Sequence, residues 1–191
     1  MFSIRRMERE DLEIVLSWRN RDEIRLNMIN DSIIKIEEHL KWFNKIKEQK
    51  NLEFLIFSIN NVPVGIVNFY NITDQCCDWG FYIGAEKSPK GSGTVMAYYA
   101  IEYILKKYTL LHNINSEVIA FNDASIHFHK NLGFKEVGLA NFKIERFGKN
   151  HKVFKFNLEI NDWNLRKNVI KEKIDKIEGV LNNGSTFLGE R

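Results

Sequence analysis

The sequence is short of several things, and each shortage closes off a class of protein. It has two cysteines, Cys76 and Cys77, and they are neighbours. Adjacent thiols cannot staple distant parts of a chain together and make a poor metal site, so neither a disulfide framework nor a cysteine-held metal is expected. Both read as reduced thiols packed in or beside a strand. No apolar run is long enough to cross a bilayer. The opening residues Met1-Phe2-Ser3-Ile4-Arg5-Arg6 lack the apolar core of a secretory signal. A cytoplasmic protein with no membrane partner is therefore expected. Charge of one sign is scarce too: 28 Lys and Arg against 25 Asp and Glu leave +3. That excess is too small to argue for nucleic acid, though it suits an anionic cofactor or a phosphorylated substrate. Internal repeats, low-complexity blocks and interdomain linkers are all missing. What remains, 44% hydrophobic and 28% charged residues in a chain of 191, is the make-up of one ordinary globular domain.

Periodicity divides that domain into elements. Residues 2–6 read as a strand. Glu8-Arg9-Glu10-Asp11 opens a helix with its acidic residues at the positive end, and Leu12, Val15 and Leu16 give the apolar stripe, which ends near Trp18-Arg19-Asn20. A second helix is predicted over 34–49 from Ile36, Leu40, Phe43 and Ile46. Strands at 52–59 and 62–69 flank an Asn60-Asn61 turn, with Pro63 tolerable only near a strand start. A strand over 76–84 leads through a glycine-bearing loop into a helix at 93–108. A strand at 114–121, a helix from Asn122-Asp123 to Leu132-Gly133, strands at 134–146 and 151–159 around a Gly148-Lys149-Asn150 turn, and a helix at 161–181 complete the chain. The tail after Ser185 is expected to be loose. Hairpins first, then one β-α-β crossover, predict an α/β (α+β) fold: a mixed sheet of about seven strands, mostly antiparallel, with helices on both faces.

The chemistry concentrates in two stretches. Ser88-Pro89-Lys90-Gly91-Ser92-Gly93-Thr94 joins a strand to a helix. Free N–H groups at a helix start bind phosphate; Gly91 and Gly93 allow close approach, Lys90 adds charge, and the Ser92 or Thr94 hydroxyl is a further donor. The loop matches neither the P-loop spacing nor the three-glycine dinucleotide fingerprint. Taken alone it is equally a flexible helix entry. The second stretch is Asn122-Asp123-Ala124-Ser125-Ile126-His127-Phe128-His129-Lys130-Asn131-Leu132-Gly133-Phe134, after the next strand.

Together these resemble the GNAT superfamily of N-acetyltransferases. Its pyrophosphate loop, Gln/Arg-x-x-Gly-x-Gly/Ala, is followed some thirty residues later by Asn-x-x-Ala/Ser on a helix ending in Gly-Phe. Here Ser88 replaces the usual Gln or Arg, and His129 takes the place of a frequent tyrosine. The resemblance covers about residues 2–160. It implies a GNAT domain over 1–160, with residues 161–191 as an additional C-terminal helix and tail. It implies acetyl-CoA as co-substrate and no metal. The backbone of Phe81, Tyr82 and Ile83 would pair with the pantetheine arm, and residues 88–94 would hold the pyrophosphate. Asn122 and Ser125 would lie beside the pantetheine or the sulfur. His129 is the implied acid for the leaving thiolate. Asp78, sharing strand parity with Gly80 and Tyr82, is the candidate base.

The N-terminal half resembles one subgroup, the acetyltransferases of pseudaminic acid biosynthesis. They act on the 4-amino group of UDP-4-amino-4,6-dideoxy-N-acetyl-β-L-altrosamine. The carriers are Trp18-Arg19-Asn20, Glu37-Glu38-His39-Leu40-Lys41-Trp42-Phe43 and Asn68-Phe69-Tyr70-Asn71-Ile72. A nucleotide sugar needs a cation for its diphosphate, aromatics to cover flat rings, and amides or histidine for hydroxyls. Arg19, Asn20, His39, Trp42 and Tyr70 supply those types. The plainer reading makes the tryptophans and His39 core residues and Arg19 a helix cap. Two alternatives stay open: a protein or ribosomal-protein N-acetyltransferase, and an acyl-CoA-binding module without chemistry. A homodimer is compatible with either.

Overall fold

In the computed structural model, the backbone of residues 1–185 and the side chains of residues 1–181 are described; the loose tail expected after Ser185 lies outside the described residues. The order is β1 (Phe2–Arg6), a 3-10 turn (Arg9–Asp11), α1 (Leu12–Asn20), α2 (Asp22–Arg25), α3 (Ile36–Ile46), β2 (Glu53–Ile59), β3 (Val62–Tyr70), β4 (Cys76–Ile83), α4 (Ser92–Lys107), β5 (Asn113–Ile119), α5 (Asp123–Leu132), β6 (Lys135–Arg146), β7 (Lys149–Glu159) and α6 (Ile160–Ser185). The seven strands form one sheet in the order β1-β2-β3-β4-β5-β7-β6. Every neighbouring pair is antiparallel except β4 and β5, which α4 joins as a crossover.

Strand alternation sends apolar side chains to both faces, and helices cover each. One face carries Leu55, Phe57, Val67, Phe69, Trp79 and Ile114 against Met96, Ala100, Ile101 and Ile104 of α4 and Trp163, Ile170 and Ile174 of α6. The other carries Ile56 and Ile66 against Leu12, Val15 and Trp18 of α1, Ile24 and Ile46. The C-terminal helix is thus part of the main core: Trp163 is fully buried and its indole N–H donates to Glu102 at 2.7 Å.

Two boundaries differ from expectation for a visible reason, and the first helix ends at Asn20 as expected. The second helix starts at Ile36, because the Asn20 amide binds both the N–H and the C=O of Ile34 (2.9 and 2.8 Å) and holds the chain extended there. The first helix stops where Arg21 turns extended (φ −67, ψ 141), and the single turn α2 follows. The last hairpin turns one position earlier than predicted, on Phe147-Gly148, both at positive φ (54 and 69), so β7 begins at Lys149. Two consecutive positive-φ residues make the tight turn whose twist matches a hairpin.

The feature that positions a site is the gap between β4 and β5. They pair over three positions only, Cys76 with Asn113, Cys77 with Ile114 and Asp78 with Asn115. Beyond that, β4 stays with β3 as far as Ile83 and β5 stays with β7 as far as Ile119. The sheet splits like an opened seam, leaving strand edges without ladder partners among the described residues.

Candidate active site

A cavity of about 1100 Å³ passes through this seam and is lined from both faces of the sheet. Its contents are easiest to follow from one mouth to the other.

At the first mouth stand the starts of α4 and α5. Gly91 caps α4 in the left-handed region (φ 93). A Cβ there would meet Ile177 Cδ1 of α6 at 2.6 Å, so strain and crowding both demand glycine. Of the first helical N–H groups, Ser92 is bound by Pro89 O and Val95 by Gly91 O, both at 3.1 Å. Those of Gly93 and Thr94 find no backbone acceptor among the described residues, which leaves a helix start of the kind that can hold an anion. The Ser92 hydroxyl, expected as a further donor, is spent inside the loop on Pro89 O at 2.6 Å. Gly93 lines the cavity; Ser88, Pro89 and Lys90 on the loop and Thr94 in the first turn of α4 do not. Across the seam Asn122 caps α5, its Oδ1 accepting from Ser125 N at 3.1 Å. Asn122 and Ser125 face the cavity, as do Phe81, Tyr82 and Ile83 on the stretch of β4 that pairs with β3 but no longer with β5.

Of the two expected proton carriers, His129 lines the cavity and Asp78 does not. His129 is 1% exposed. Its Nδ1 donates to Ser125 O at 2.7 Å, leaving Nε2 to accept from the Trp79 indole N–H at 3.2 Å. Its ring stacks on Phe156 and meets Trp79 and Phe134 edge-on. Burial pushes its pKa down to about 4, partly opposed by the bond to Ser125. A neutral imidazole with both nitrogens committed has no proton to give a thiolate, so His129 braces the site instead. Asp78 lies in the last paired position of the seam, takes the Asn71 amide at 2.7 Å and does not line the cavity.

The carboxylate that does line it at mid-seam is Glu117, to which the sequence reading gave no role within the strand at 114–121. It follows Asn115 by two on β5, past the last β4 pair, so it shares a face with Asp78, Gly80 and Tyr82. Among the described residues no hydrogen bond or ion pair engages it. Glu23 and Glu38, which also line the cavity, are committed: Glu23 to Arg21 at 3.1 Å, Glu38 to the Lys35 N–H at 3.0 Å. Tyr70 lines the same wall; burial first, then the carboxylates of Asp78 and Glu117, push its phenol up to about 12, so it stays protonated.

The second mouth is walled by α1, α3 and the irregular segment 26–35. That segment is held by side chains from far away. Arg19 binds Asn30 O, Asn20 binds Ile34, and Arg25 binds Asp31 O. Arg146, at the end of β6 and 8% exposed, donates to Met28 O (2.8 Å), Ile29 O (3.0 Å) and Leu26 O (3.4 Å) and pairs with the Asp31 carboxylate (3.3 Å). Asn20 is therefore a clasp, with both amide ends in use. Arg19 lines the cavity with its Nη1 buried and unpartnered, and burial lowers its pKa. His39 is buried with Nε2 unpartnered; desolvation pushes it down, so it is neutral, and its ring stacks on Trp42 at 5.0 Å. Trp42 in turn meets Phe54 edge-on. Trp18 is core, packed so tightly on Gly84 that a Cβ there would come within 1.9 Å of its ring. Tyr82 completes the wall, its phenol pushed up by burial against the pull of Arg19 and Arg21.

Comparison with known proteins adds the following. Residues 2–135 match the acetyltransferase (GNAT) domain family. Two curated relatives from Campylobacter jejuni, each named acetyltransferase PseH, are 29% identical over 94 residues (strain 81-176) and 31% identical over 105 residues (strain NCTC 11168). Those matches take in 49% and 53% of this chain and only 58% and 64% of the relatives' own length. Among solved structures, a spermidine N-acetyltransferase from Vibrio cholerae in complex with CoA and spermine superposes with a TM-score of 0.78 at 19% identity, covering 85% of this chain and 97% of that one. A ribosomal-protein-alanine N-acetyltransferase from Brucella melitensis does so with 0.68 at 19% identity, covering 82% and 99%. At such identities the likeness is one of fold.

Proposed function

Because the chain belongs to the GNAT acetyltransferase family, we propose that it transfers an acetyl group from acetyl-CoA to the 4-amino group of a UDP-linked 4-amino-4,6-dideoxy sugar. The observation that carries this reading is the through-sheet cavity, with a phosphate cradle at one mouth, a guanidinium and a histidine with unfilled valences at the other, and a single uncommitted carboxylate between them. The residues present suit acetyl-CoA. The Gly93 and Thr94 N–H groups and the α4 dipole fit a pyrophosphate, and the ladder-free edge of Phe81–Ile83 fits the amide-bearing pantetheine as a strand would. The acceptor side rests on the likeness to the two PseH proteins and on the subgroup signature around Arg19 and His39.

The chemistry then follows from placement. The thioester carbonyl and the amine meet in the seam, where orientation replaces a bimolecular search. The amine lone pair forms the N–C bond, and the Glu117 carboxylate takes the N–H proton directly or through one water. Collapse breaks the C–S bond, and the thiolate, a fairly good leaving group, takes a proton from water. Arg19 faces the diphosphate, and His39, Trp42 and Tyr70 face the sugar. Tyr70, held protonated, serves as a donor. Asn122 and Ser125 border the pantetheine end.

The test is mass spectrometry of reactions with acetyl-CoA and, separately, UDP-4-amino-4,6-dideoxy-N-acetyl-β-L-altrosamine, spermidine and a panel of peptide N-termini. One added acetyl group on the nucleotide sugar is expected. Acetylation of spermidine or a peptide with the sugar untouched overturns the acceptor; binding of acetyl-CoA with no acceptor modified favours a non-catalytic module.

A further inference from the structure

The tip of the β6–β7 hairpin is built oddly for a turn. A two-residue turn with both φ positive takes Asn-Gly or Gly-Gly without strain, and glycine stands second, at Gly148. First comes Phe147, a bulky residue in the left-handed region (φ 54) and 70% exposed. Neither strain nor exposure does anything for the fold, and strained residues gather where a site uses them. The ring is not loose: it meets Phe121 at 5.7 Å and 68°, and Phe121 meets His151 at 4.8 Å and 77°. The His151 ring also approaches Arg146 O at 3.2 Å.

None of the three rings lines the cavity, but the chain neighbours of Phe121 do. Phe121 lies between Ile119 and Asn122, both of which line it. Glu117 and Ile119 share one face of β5, and Phe121 follows in the turn that closes on Ile119 O. Arg146, next to Phe147, binds the carbonyls of Met28 and Ile29 on the opposite wall, so the tip is moored to the acceptor mouth.

We propose that Phe147, Phe121 and His151 form a stacking platform for the nucleobase of the acceptor, holding a flat pyrimidine ring at the rim while the amino sugar reaches Glu117. The proposal rests on the nucleotide-sugar reading above. It assigns to the hairpin a site for a planar heteroaromatic ring, and makes the turn's strain the consequence of presenting an aromatic face there.

Calorimetry with uridine diphosphate tests it on the full chain. Phe147→Asn relieves the backbone strain while removing the ring, so loss of binding cannot be blamed on unfolding. The melting temperature should hold or rise, and acetyl-CoA affinity should stay unchanged. The uridine diphosphate Kd should rise roughly tenfold, the scale of one base–aromatic stack. Phe147→Trp should keep the affinity near wild type. Equal affinity in wild type and Phe147→Asn overturns the platform. If wild type acetylates the UDP-amino sugar and Phe147→Asn has the same KM, the platform alone fails. If wild type neither binds uridine diphosphate nor acetylates the sugar, the platform falls together with the nucleotide-sugar reading. If Phe147→Asn dissociates a dimer in sedimentation and leaves the nucleotide Kd unchanged, the tip is a subunit contact and the platform is overturned.

Discussion

The two mouths of the cavity are made of different materials. The mouth at Gly91 and Asn122 is backbone: two helix starts, one left-handed glycine and a strand edge without a ladder partner, all within residues 78–125. The mouth at Arg19 and His39 is side chains: an irregular segment moored by Arg19, Asn20, Arg25 and Arg146, the last from more than 110 positions along the chain. A backbone site binds any ligand with the right phosphate and amide spacing. A side-chain site can be rebuilt by a few substitutions without touching the first. One fold can thus keep its acetyl donor while its acceptor changes, and variants should separate the two mouths accordingly.

The largest effect is expected in the seam that joins them. Glu117→Gln keeps size and polarity but removes the base, so kcat should fall by about a hundredfold to ten-thousandfold with acetyl-CoA and acceptor affinities little altered. Single-turnover kinetics reads this directly. Asp78→Asn, two strand positions away from the opening, should cost far less; a greater loss there than at Glu117 would restore Asp78 as the base.

Next comes a change confined to the backbone mouth. Gly91→Glu places a side chain at φ 93, against Ile177 and beside the phosphate cradle. Strain and like charge together should weaken acetyl-CoA binding on the order of a hundredfold. Acceptor binding, followed by calorimetry without the donor, should not move. If both affinities fall together, the two mouths are one cooperative unit and the contrast drawn above is wrong.

The complementary change is Arg146→Met, which keeps the volume and stem but drops every bond to segment 26–31. The acceptor KM should rise about tenfold with acetyl-CoA Kd held, and hydrogen exchange at residues 27–31 should speed up.

The smallest catalytic effect is expected at His129. His129→Phe should change kcat less than about threefold, since the wild-type imidazole has no free proton. Stability should suffer instead, because the Trp79 indole N–H is left buried without an acceptor, a loss of about 1–3 kcal/mol and several degrees in melting temperature. The pH dependence has a definite sign. A pKa held at about 4 in the fold against an ordinary 6.5 means the unfolded chain binds the proton first. His129 therefore contributes full stability above about pH 6.5, and loses it as pH falls toward 4, for a total of about 3 kcal/mol. Thermal melts of wild type and His129→Phe between pH 4 and 8 should converge at the acid end. A kcat loss above tenfold with unchanged melting would return His129 to the acid role.

The difference between the mouths also explains what could be read early. Gly91, Asn122, Gly133 and the strand-turn-helix spacing announce backbone geometry, and backbone geometry is local: a glycine at a left-handed cap or an asparagine at an N-cap acts on residues within four positions. The seven strands and the alternation of faces are likewise set by short-range pattern. Residue type alone could not say whether His129 donates a proton or packs, because that turns on the Trp79 indole fifty residues away and on burial by Phe134 and Phe156. Nor could it rank Asp78 against Glu117. Both are strand carboxylates on one face, separated only by where β4 and β5 part. Asn20 read as a sugar contact because an amide suits a hydroxyl; Ile34 already uses both of its ends.

The sequence by itself determined the mixed sheet, the crossover at the glycine-bearing loop and the family to which that loop belongs, since each is written in contacts a few residues apart. Only the tertiary structure decided which carboxylate faces the seam, which histidine is spent, and that an arginine beside a hairpin tip, more than 110 positions downstream, holds the wall of the second mouth. Those are matters of burial and of partners distant in the chain, where a side chain's chemistry is fixed by what the fold has left for it to do.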